Sequence, residues 1–177
     1  STPLLRFREI ETSSQQKATL NRKEVSELIG IVVNDKAEFS VRLMGAELLV
    51  QKAEPEQAQS VLDAMRSIAD RTREKEIGKR SRVDIETEAV LESFLDRGTM
   101  ALGKRMADPT PVFDFAMEVL GHSRFSHAWP KVYELIANGP APLSARRQYV
   151  LKAIKTLPSA FRGPHEFYPL ITGEMMD

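Results

Sequence analysis

The sequence contains no cysteine in its 177 residues. Disulfide bonds, thiolate zinc sites and cysteine nucleophiles are therefore excluded. Glycine is also scarce, at nine residues, and the sequence has neither a complete Gly-rich phosphate loop nor a nucleophile elbow. No apolar run approaches the length of a membrane span, and the first residues lack the basic-then-apolar order of a signal peptide. We expect a protein of the cytoplasm or of a virion, neither secreted nor inserted into a membrane.

An excess of charge of either sign is missing as well. Lys+Arg and Asp+Glu are equal, at 25 each. A zero balance disfavours electrostatic capture of the whole chain by nucleic acid or by an anionic membrane. It also removes the repulsion that keeps copies of a protein apart, so the chain is expected to be a homo-oligomer.

Amphipathic segments that begin with capping residues are abundant. Asn21 and Glu24 form a capping-box pattern ahead of apolar residues at helical spacing. Asp35 and Glu38 form a second such pattern, and a long helix is expected over 84–106. The hydrophobic share of 42% is sufficient for a real core. The predicted fold class is mainly α, a single helical bundle of about seven helices.

The segment that follows the second capping pattern fits two interpretations. Alternation of Phe39, Val41 and Leu43 is typical of a strand. A helix through the same residues would continue to about residue 53, which exceeds the usual length of a strand. The sequence favours the helix, and a minor strand near 39–43 is the alternative.

The chain is predicted to have one helical domain, residues 20–158, between two irregular arms. The N-terminal arm, 1–19, shows no clear helical period, and the C-terminal arm, 159–177, is interrupted by proline and glycine. Such arms can bury their apolar residues only in a groove, and we expect at least one arm to pack on an adjacent copy. Prolines at 108–111 mark a candidate subdomain boundary, which the bundle is expected to span.

Patterns typical of catalysis or metal binding are missing. His122 and His127 are five residues apart, not the four that would place them on one helix face, and His165 lies in the C-terminal arm. Ser14 and Lys17 match the short Ser-x-x-Lys pattern, but its companion motifs are lacking. We predict no catalytic residue, no metal site and no cofactor.

Two basic stretches are candidates for contact with nucleic acid. Between Leu135 and His165 the chain has no acidic residue, and aromatic residues are interleaved with the basic ones. Basic groups neutralise phosphates and aromatic rings stack on unpaired bases. The predicted binding residues of this stretch are Arg146, Arg147, Lys152, Lys155 and Arg162. Those of an earlier, mixed-charge stretch are Lys79, Arg80 and Arg82. The alternative is that these charges only solvate helix faces.

These features together favour a non-catalytic assembly protein. A viral or phage structural or nucleoprotein-type subunit, acting by self-association and by contact with RNA or DNA, combines low net charge with local basic stretches. A helical adaptor or regulator that binds a partner protein is the alternative. An enzyme whose site is assembled from dispersed residues is the least favoured class, because no catalytic pattern supports it.

Overall fold

The structure is a computed structural model that describes residues 1–73 and 77–120, together with positions 144, 146–148 and 151. The described residues form seven α-helices and no strand, which confirms the predicted all-α fold. The helices are α1 (Pro3–Ser14), α2 (Arg22–Val33), α3 (Phe39–Lys52), α4 (Ala58–Arg73), α5 (Arg82–Ser93), α6 (Thr99–Arg105) and α7 (Thr110–Leu120). The helical interpretation of the ambiguous segment is confirmed, because residues 39–43 begin α3.

The chain divides into two compact units, Ser1–Phe94 and Leu95–Asp177. The first unit contains α1 to α5, and the second contains α6 and α7. The candidate boundary at 108–111 falls inside the second unit. The arm predicted at 159–177 lies outside the described residues.

A single turn of π-helix, Phe94–Gly98, directly follows α5. The long helix predicted over 84–106 is found as a continuous helical run from Arg82 to Arg105, in which this π-helical turn separates α5 from α6. Thr99 donates its hydroxyl hydrogen to the backbone oxygen of Leu95 at 2.8 Å. Such back-bonding by threonine accompanies local departures from regular α-helical hydrogen bonding.

The segment predicted as an irregular N-terminal arm is instead the helix α1. Thr2 caps this helix, because its Oγ1 accepts a hydrogen bond from the backbone N–H of Leu5 at 3.3 Å, and Pro3 takes the first helical position. Phe7 and Ile10 are 2% and 1% exposed. Phe7 and Ile10 therefore pack in the core of their own chain, whereas Leu5 is 53% exposed. The expectation that at least one arm packs on an adjacent copy stays a prediction.

Reciprocal capping boxes begin α2 and α5. Asn21 Oδ1 accepts from the backbone N–H of Glu24 at 2.8 Å, and Glu24 Oε1 accepts from that of Asn21 at 3.0 Å, as the sequence predicts. Ser81 and Asp84 form the same pair at the start of α5. Asp84 is thus the third residue of α5, which begins two residues before the predicted start at 84.

The capping box predicted from Asp35 and Glu38 does not form. Glu38 precedes α3 in the cap position, but its side chain makes no capping hydrogen bond. Asp35 pairs instead with Arg42 of α3 and Arg71 of α4. A carboxylate next to two guanidinium groups is drawn into ion pairs, so the spacing alone was misleading.

The core of the first unit includes the contact of α2 with α3. Gly45 of α3 faces Val32 of α2, and a Cβ added at this glycine would lie 3.2 Å from Val32 Cγ2. The missing side chain therefore permits the close approach of the two helices. An apolar stripe on α4 is buried, through Ala58, Val61, Leu62, Met65, Ile68 and Ala69. In the second unit, α7 buries Val112, Phe113, Phe115, Ala116, Met117 and Val119.

Two glycine substitutions should separate close packing from helix propensity. Gly30→Ala in α2 meets no atom within 4 Å, so it should raise the free energy of unfolding by about 0.5–1 kcal/mol. Gly45→Ala should be less stable than Gly30→Ala by about 1 kcal/mol or more, because the new methyl group crowds Val32. Urea denaturation measures both. In a Val32→Ala background the difference should shrink, and a difference that persists there would contradict this contact.

The capping carboxylate of α2 should make stability depend on pH. Burial raises the pKa of Glu24, but the hydrogen bond from the Asn21 N–H and the ion pair with Lys17 outweigh it, so the pKa lies below its ordinary value of 4.5. Its contribution is then full above pH 4.5 and is lost as the pH falls through the lowered pKa. Denaturation of the wild type and of Glu24→Gln at several pH values should show their difference shrinking in acid. A constant difference would show that the charge is not involved.

Candidate functional site

An open groove of about 630 Å³ lies between α2 and the segment that connects α3 to α4. From α2 it is lined by Arg22, Val25 and Ile29, and from the facing segment by Glu54, Glu56 and Gln57. Two serine hydroxyls complete the lining. The groove thus combines an apolar floor with carboxylates, a side-chain amide and one guanidinium group.

The facing segment owes its shape to Pro55. Proline fixes the backbone angle that begins a helical turn, and a 3-10 turn, Pro55–Gln57, forms in which the backbone N–H of Gln57 donates to the oxygen of Glu54 at 2.8 Å. Ala58, the next residue, is fully buried at the start of α4. Gln57 is therefore drawn towards the core while the preceding glutamates remain on the surface.

Gln57 carries a buried acceptor with no internal partner. The residue is 9% exposed, and its Oε1 receives no hydrogen bond within the described ranges of the chain. A buried acceptor left without a donor costs about 1–3 kcal/mol. The Gln57 oxygen has less than 1 Å² of accessible surface, so it does not face the open groove.

The charges of the groove favour hydrogen-bond donors and cations. Glu56 is exposed and makes no ion pair with any residue that the structure describes. Glu54 accepts a hydrogen bond from Thr19 at 3.3 Å, and it too forms no ion pair with a described residue. Arg22 is the one basic group of the lining, so the lining carries one positive and two negative charges, a net charge of −1. A cation entering the groove gains from both glutamates.

The earlier basic stretch is largely paired with acidic residues of α5. Arg80 bonds to Glu88, and Arg82 Nε lies 2.9 Å from Glu86 Oε1. Lys79 is exposed in the short 3-10 turn before them. A phosphate group would have to compete with these glutamates for the two arginines.

The later basic stretch is described only in part. Arg146 and Arg147 are helical and half-buried in the second unit. Lys152, Lys155 and Arg162 lie outside the described residues. The grouping of these five predicted residues on one surface therefore stays a prediction.

The catalytic patterns considered in the sequence do not form sites where the structure describes them. Ser14 donates to the backbone oxygen of Glu11 at 2.8 Å, whereas Lys17 Nζ lies 3.2 Å from a carboxylate oxygen of Glu24. The serine and lysine are thus each engaged elsewhere. The three histidines lie outside the described residues. Within those residues no group of three His, Asp or Glu side chains could hold a metal ion, and no helix there could span a membrane.

A buried arginine of α3, Arg42, lies against the C-terminal end of α2, and no sequence pattern indicated its burial. Arg42 is 0% exposed, and its Nε donates to the backbone oxygen of Val32 at 2.8 Å. Burial lowers its pKa, and the charge of Asp35, 3.8 Å from Nη2, partly offsets this. Arg71 donates to the oxygen of Val33 at 2.9 Å. Because both groups satisfy terminal carbonyls of α2 and Arg42 is enclosed, we interpret this cluster as structural.

The two arginines should differ in their importance for stability. Arg42→Ala should lower the free energy of unfolding by about 3 kcal/mol, because it leaves a cavity and an unpaired carbonyl at Val32. Arg71→Ala, at a partly exposed ion pair, should cost less than about 1 kcal/mol. Chemical denaturation compares them. Equal losses would show that burial of Arg42 is not what stabilises the end of α2.

Comparison with known proteins provides no functional assignment for this site. No family model, no curated protein and no solved structure matches the chain. Any functional interpretation therefore depends on the geometry of the chain's own residues.

Proposed function

We propose that the chain is a non-catalytic assembly protein that acts by self-association. The observation that carries this proposal is the open groove beside α2, which combines apolar side chains with the carboxylates of Glu54 and Glu56. Apolar surface beside polar groups at its rim is typical of surfaces that bind another protein.

The charge distribution supports a second copy as that partner. The net charge is zero, yet the groove lining carries two glutamates to one arginine. Residues 135–165 contain basic residues and no acidic one. Regions of opposite sign within one chain let copies attract each other, while a zero total removes long-range repulsion.

Contact with RNA or DNA is a second part of the proposal. Because Arg80 and Arg82 are paired with glutamates, the acid-free stretch is the better candidate for phosphate contact. A subunit that both self-associates and holds nucleic acid is typical of viral or phage structural and nucleoprotein-type proteins, and we propose this setting.

A helical adaptor that binds another protein is the alternative function. The groove beside α2 supports it equally well, since a partner protein can also cover its apolar side chains and pair with its glutamates. The two functions differ in one property, which is whether the purified chain associates with itself.

Sedimentation velocity of the purified chain at tens of micromolar, at two salt concentrations, tests the assembly function. The expected mass exceeds the 19.9 kDa of one chain, and it should decrease at the higher salt concentration because opposite charges contribute to the contact. A monomer under both conditions would contradict self-association and would favour the adaptor function.

The same experiment with a generic oligonucleotide tests the nucleic-acid part. Binding should weaken steeply with salt, and removing the charge of Lys152 or of Lys155 should flatten the slope of log K against log salt by about 0.7–0.9 each. Lys104→Gln, at an exposed position of α6, is the control. No binding at low salt, or slopes unchanged in both variants, would leave the stretch without a role in phosphate contact.

A further inference from the structure

We draw no further inference here: the strongest candidate, the side-chain cluster of Arg42, Asp35 and Arg71 at the C-terminal end of α2, contains guanidinium nitrogens of Arg42 with no hydrogen-bond partner among the described residues, but those atoms have less than 1 Å² of accessible surface, so no ligand reaches them and the cluster keeps the structural role already described.

Discussion

The first unit depends on how the C-terminal turn of α2 is held. Val32 has two roles there, because its side chain packs against Gly45 and its backbone oxygen accepts a hydrogen bond from Arg42. Arg71 satisfies the next carbonyl, that of Val33. Terminal carbonyls of a helix have no partner within the helix, and here α3 and α4 provide the donors. Helix contact and hydrogen bonding thus converge on one turn, so neither can shift without disturbing the other.

Polar groups lie at both ends of α2, but an arginine at one end is enclosed and the groups at the other end are open to solvent. At its C-terminal end, an enclosed guanidinium group and an exposed carboxylate, Arg42 and Asp35, are close enough to interact. At its N-terminal end, Arg22 lines an open groove together with the carboxylates of Glu54 and Glu56. A buried charge is retained against its energetic cost where it fixes a structure, whereas exposed charges beside apolar surface are accessible to a partner. The enclosed geometry of the first site favours a structural role, and the open geometry of the second favours binding.

The sequence predicted the elements whose signals are local. The capping box of Asn21 and Glu24 and the apolar spacing of α2 depend only on residues three or four apart. Helix α1 was missed because Phe7 and Ile10 are its only fully buried large apolar residues, too few to define a period. Gln57 was missed for another reason. Its burial depends on the packing of α2 against a distant segment, and no pattern of neighbouring residues reports such packing.

Ion pairing is the reason why a count of basic residues overstates a binding surface. Arg80 and Arg82 belong to a basic stretch of the sequence, yet Arg80 pairs with Glu88, eight positions on, and Arg82 with Glu86, four positions on. On a helix, residues four apart are neighbours although the sequence separates them. The stretch at 135–165 differs in kind, because it contains no acidic residue and only Glu134 and Glu166 flank it. For Lys152 and Lys155, which lie far from both glutamates in sequence, pairing requires a carboxylate remote in sequence, a second molecule or solvent ions.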